Sequence, residues 1–170
     1  ENPMHVLHRT GFLLLFMVSG ALADPAGDFR TLLDDAWEWQ LAENPVQASQ
    51  LGDRRYNDQW PDLSLDAFAR RRTQQEAFLS RLRAIDPAQL DAGDQLDYEL
   101  FRRDLQDRLD AYAFRDYLMP INQRGGVQTL ESTAEGLRFE TAQDYDDWLA
   151  RMAKVPAYIE QTMALQEEGR

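Results

Sequence analysis

From residue 28 onward, apolar residues recur at the three-and-four spacing of an α-helix, and no segment alternates as a strand would. That rhythm commits the chain to an all-α fold, read here as an antiparallel multi-helix array. Punctuation sets the helices. Asp28 can cap a first one carrying Phe29, Leu32, Leu33, Ala36, Trp37 and Leu41, which stops near Asn44-Pro45. Pro45 opens a short second helix that Gly52 ends. The turn-rich run Asp53 to Leu63 is irregular. Ser64 caps a long helix through Ile85, closed by Asp86-Pro87. The next helix starts within Asp91 to Asp94 and carries Leu96, Leu100, Phe101, Leu105, Leu109 and Tyr112. Thr129 to Glu135 forms a short helix closed by Gly136. Thr141-x-x-Asp144 then begins a last long segment, apolar at Tyr145, Trp148, Leu149, Met152, Ile159 and Met163, with a kink or break at Pro156. Trp37, Trp39, Trp60 and Trp148 are expected in the core or at its rim.

Two stretches break the helical rhythm with polar residues. In Tyr117 to Leu130, Pro120 pushes Met119 out of the α region, and Gly125-Gly126 opens backbone angles closed to other residues. Asn122, Gln123, Arg124, Gln128 and Thr129 crowd this turn with hydrogen-bonding groups, as in a binding loop or a tightly knit link. In Gly52 to Asp58, Arg55 can clamp a ligand carboxylate with two parallel bonds and Tyr56 can offer a stacking face; alternatively Asp–Arg pairs staple the loop.

Side-chain inventory narrows the chemistry. The chain has no cysteine, and its two histidines, His5 and His8, both lie in the first ten residues. Residues 4–23 read as a secretory leader: Arg9, then the apolar run Gly11 to Val18, then the small-x-small signal Ala21-Leu22-Ala23. The run is too short for an ordinary membrane span, so no stable anchor is expected after cleavage, and a periplasmic or secreted location is. Cleavage would leave no imidazole and no thiol, which closes off triads, most zinc sites and histidine acid–base chemistry. A formal charge of -12 argues against nucleic acid. The carboxylate groups Asp34/Asp35/Glu38, Asp94/Asp97/Glu99 and Asp144/Asp146/Asp147 could pair for catalysis or hold a hard cation, or simply solvate helix faces. The last helix is still running at Arg170, so residues 24–170 are expected to be a truncated N-terminal region of a larger helical fold.

Five ordered segments carry a resemblance: Trp37-Glu-Trp39, Gly52 to Asp58, Asp94 to Arg103, Tyr117 to Gly126 and Asp144 to Arg151. Together they resemble the N-terminal part of the bacterial domain-of-unknown-function 885 family, and the likeness covers residues 28–170. The family is similar to secreted, helical, zinc-dependent carboxypeptidases and oligopeptidases with a distant His-Glu…His motif, which nothing here matches. The resemblance implies zinc and a peptide substrate for a full-length protein, no cofactor or metal ligand in this chain, and a cleft lined by Arg55, Tyr56, Asn57, Asp58, Gln123, Arg124, Gly125 and Gly126. The expected function is scaffold and substrate cleft of an exported metallopeptidase-like hydrolase, not catalytic by itself. The alternative is a self-contained periplasmic binding or adaptor module.

Overall fold

The computed structural model describes residues 24–123 and 125–170, so the leader and Arg124 lie outside the described residues. Among those residues the fold is all-α, with seven α-helices and no strand. They are α1 (Pro25–Glu43), α2 (Pro45–Gln50), α3 (Leu65–Arg83), α4 (Ala92–Ala111), α5 (Glu131–Glu135), α6 (Ala142–Ala153) and α7 (Val155–Glu168).

Caps explain most of the starts. The Ser64 hydroxyl accepts from the Ala67 amide at 3.2 Å and opens α3. Asp91 accepts from Gly93 and Asp94 at 2.9 Å to open α4. Thr141 and Asp144 close a reciprocal capping box on α6. Of the boundaries that differ from the sequence expectation, two have a plain local cause. Helix α1 begins one turn earlier, because Asp24 caps it by accepting from Gly27 at 3.0 Å, which leaves Asp28 in the first turn. The last segment breaks at Lys154, and Pro156 sits in the first turn of α7, where its missing N–H has no helical partner to lose.

Helices α1, α3 and α4 form an antiparallel sheaf. Asp35 pairs with Arg81 and Glu43 with Arg71, so α1 and α3 run in opposite directions. Arg30 meets Asp94 near the start of both helices, and Ala36, Trp39 and Gln40 share a crevice with Phe101, Leu105 and Arg108 further along, so α1 and α4 run alike. Between them lies an apolar core of Phe29, Leu32, Ala36, Phe78, Leu79, Leu82, Leu90, Tyr98 and Leu105. Each large aliphatic or aromatic side chain buried there contributes about 1.5–3 kcal/mol. Trp39 packs edge-on to Phe78 at 5.5 Å, whereas Trp37 is exposed, outside the core expected of it.

A second packing centre joins α2, the 3-10 turn Arg54–Tyr56, α6 and α7. Trp60 links it: its ring lies 5.4 Å from Tyr158 and 6.5 Å from Trp148, and its Nε1 donates to the Arg151 carbonyl at 2.8 Å. Here most of the expected apolar stripe faces out, although Trp148 stays half-buried against Trp60. Tyr145, Leu149, Met152, Ile159 and Met163 are all exposed, and the residues buried on α6 and α7 are Asp144, Arg151, Thr162 and Leu165. On α6 the inward face is the one that carries Arg151, which hydrogen bonds to α2 and the Arg54–Tyr56 turn. Leu96 and Leu100 on α4 are likewise exposed.

Candidate functional site

The loop around Gly125 is knit to itself. Asn122 donates its amide to the Gly125 carbonyl at 2.9 Å, and Gly125 donates to Asn122 Oδ1 at 3.1 Å. Gln128 Nε2 donates to the Asn122 and Gly125 carbonyls at 2.7 and 3.1 Å. Gly126 has φ +134°, and a Cβ there would lie 3.1 Å from both Ile121 Cα and the Pro120 carbonyl oxygen, so glycine is required. Of the predicted set, Gln123 is exposed on this turn, Gly125 and Gly126 are structural within it, and Arg124 falls outside the described residues.

Each residue of the Arg55 to Asp58 stretch has a different fate. The Arg55 guanidinium is committed: Nε and Nη2 grip the Asp53 carboxylate at 3.0 and 2.6 Å, and Nη1 donates to Glu38 at 2.7 Å. These bonds to Arg55 hold the Asp53 carboxyl below its ordinary range. Of the two readings open for Arg55, the structure shows the staple: its two-pronged grip is spent on its own turn. The Tyr56 ring lies under that guanidinium at 5.4 Å, and its carbonyl accepts from Arg151 Nη2 at 2.7 Å. Asp58 accepts from Lys154 at 2.8 Å, and that bond lowers its carboxyl. Only Asn57 turns to a cavity, and its Oδ1 is buried with no hydrogen-bond partner among the described residues.

That cavity is a polar cleft of about 360 Å³ between the α2–Asn57 segment and the link from Gly136 to Glu140. Ser49, Gln50, Arg54, Asn57, Arg138 and Glu140 supply its polar lining, with Leu51 and Leu137 as apolar patches. Arg54 donates to Glu140 at 3.0 Å and sits 3.4 Å from Asp144. Asp144 is buried, and the Thr141 hydroxyl and amide hold its carboxyl below the usual range. Behind the cleft stands Arg151, fully buried. Its Nη2 donates to Ser49 Oγ and the Tyr56 carbonyl, both at 2.7 Å, and its guanidinium carbon lies 5.5 Å from the Trp60 ring centre. Nε and Nη1 have no hydrogen-bond partner among the described residues, and burial pulls the group down to about 10.

Gln123, Gly125 and Gly126 do not line this cleft, so the two predicted stretches are not joined in it. Sequence reasoning assigned no role to Arg54, Arg138, Glu140 or Arg151. One signal was present for Arg151: with Asp144 and Trp148 it keeps the spacing of a single helix face, so a charge occupies a position where a core residue is expected. The three carboxylate groups turn out to be dispersed. Asp35, Glu38, Asp94 and Glu99 each pair with an arginine, and Asp144 is a cap.

Zinc finds no donor set here. Residues 24–170 contain no histidine or cysteine, and among the described residues no three His, Cys, Asp or Glu side chains converge on a metal-sized site.

Fold and cleft together define a helical protein with a polar, arginine-rimmed groove. The family is then plain: a model of the bacterial proteins of unknown function DUF885 matches residues 45–170, and the chain belongs to that family. No curated protein and no solved structure gives a significant match.

Proposed function

We propose that residues 24–170 are the scaffold and one wall of the substrate cleft of an exported, metallopeptidase-like hydrolase, and that bond breaking requires groups this region does not contain. The observation that carries the reading is the cleft between Arg54–Asn57 and Arg138–Glu140, a groove of ligand size whose lining offers backbone-like donors and acceptors to a peptide. The missing imidazoles and thiols support the division of labour, since the lining can bind and orient a peptide but supplies neither a nucleophile nor a metal-held water. The exposed stripe on α6 and α7 suits a scaffold that further protein covers.

The test is a pair of assays on this chain, with and without added zinc. Peptide should bind without being cleaved. Turnover would remove the division of labour, and failure to bind any peptide would remove the cleft.

A further inference from the structure

Taking the cleft as a peptide site, its rim indicates which part of a peptide it receives. In a chain with 30 acidic and 18 basic residues, most arginines find a carboxylate. Arg54 has Glu140 and Asp144, and Arg55 has Asp53 and Glu38. Arg138 lines the same cleft, is exposed, and makes no ion pair among the described residues. Asn57 lines the same cleft, and its Oδ1 is a buried acceptor without a donor among the described residues. A buried acceptor left unmet is costly, so the complement that suits this wall carries an N–H. The complement that suits Arg138 is a planar anion able to take two parallel bonds.

One common chemical group supplies both within a few bonds: the last residue of a peptide, with its carboxylate and the amide N–H that precedes it. From this pairing we infer that the cleft receives a peptide by its C-terminus. The carboxylate sits on Arg138, the last amide N–H donates to Asn57 Oδ1, and Leu51 and Leu137 meet the terminal side chain. Glu140 on the same rim disfavours an acidic residue at that end. An internal peptide segment has the N–H but no carboxylate, so it would leave Arg138 unengaged.

Calorimetric titration of the full chain with N-acetylated alanyl-leucine and with its C-terminal amide tests this. The acid should bind at least tenfold more tightly than the amide. Arg138→Gln should bring the acid down to the amide's level, and Arg138→Lys should restore part of the difference. Arg138 is exposed and unpaired, so both variants should keep the melting temperature of the parent, which separates lost binding from lost folding. Equal binding of acid and amide, or unchanged acid binding in Arg138→Gln, overturns the carboxylate assignment while leaving the peptide cleft standing. If neither compound binds, the assignment and the peptide cleft fall together.

Discussion

The molecule has two packing centres built on opposite principles. Between α1, α3 and α4 the centre is hydrocarbon, with Phe29, Leu32 and Leu82 sealed from solvent. Between α2, the Arg54–Tyr56 turn and α6 it is a guanidinium, Arg151, equally sealed but held by a hydroxyl, a carbonyl and an indole face. Apolar contact is non-directional: it sets how close helices come and tolerates small rotations. Hydrogen bonds from a planar group set which carbonyl faces which nitrogen. The cleft borders the second centre. Ser49 belongs to both, and the Tyr56 carbonyl that Arg151 grips is bonded to the nitrogen of Asn57, the cleft's unmet acceptor. The sheaf supplies stability, and the polar centre gives the turn a single shape.

The largest effect should come from the hydrocarbon centre. Leu82→Ala should cost about 3 kcal/mol in denaturant unfolding, through lost transfer energy plus a cavity, and leave peptide binding intact in the folded fraction. Arg151→Met should cost less, about 1 kcal/mol. Orphaning the Tyr56 carbonyl, while Ser49 keeps its bond to the Pro45 carbonyl, is offset by no longer burying a charge without a carboxylate partner. Its binding loss should exceed that of Leu82→Ala, because the turn carrying Asn57 would loosen. If the two variants cost the same stability and bind alike, the contrast between the centres does not hold.

Acid should separate the centres next. Asp53, Asp58 and Asp144, all in or beside the polar half, are lowered below the ordinary carboxylate value by Arg55, Lys154 and Thr141 respectively. A folded value below the unfolded one adds stability that is complete above about pH 4 and is lost as the pH falls further. The sheaf has two such groups, Asp91 at the start of α4, lowered by the Asp94 amide, and Asp62 just before α3, where burial is outweighed by bonds from Ser64 and Arg70 that lower it. On titration from pH 5 to pH 3, amide NMR signals of α6 should therefore weaken before those of α3. Simultaneous loss would mean that the halves unfold as one unit.

How much of this could be read from the sequence follows from the same contrast. The sheaf was legible because burial there follows apolar spacing: Phe29, Leu32, Phe78, Leu82 and Leu105 sit where the period puts them. The ends of α3 and the capping box of α6 were legible because capping is local, as was the glycine requirement at Gly126. The inward face of α6 was not. Amphipathic spacing marks an apolar face without saying what covers it, and here the face carrying Arg151 is the one turned in. Asn57 was singled out from its stretch, but the residues that share its cleft were not, since Arg138 and Glu140 approach it from 81 and 83 residues away.

The smallest effect concerns Arg55, one of the residues considered as a carboxylate clamp. Sequence left two readings open, a ligand clamp or a staple, and Glu38, far enough along the chain to be invisible locally, decides between them. Three of its bonds go to Asp53 and one to Glu38, with both arginine and glutamate about half exposed, where screening by water and salt leaves such pairs little net stability. Arg55→Gln should therefore lower the melting temperature by roughly 2 °C or less, and that difference should shrink at high salt. Acid-peptide affinity should stay within twofold of the parent, because the cleft's open guanidinium is Arg138. Binding lost in Arg55→Gln and kept in Arg138→Gln would restore the clamp to Arg55. It would also mean that ligand carboxylate can displace two protein carboxylates already in place, an exchange the short contacts to Asp53 and Glu38 oppose.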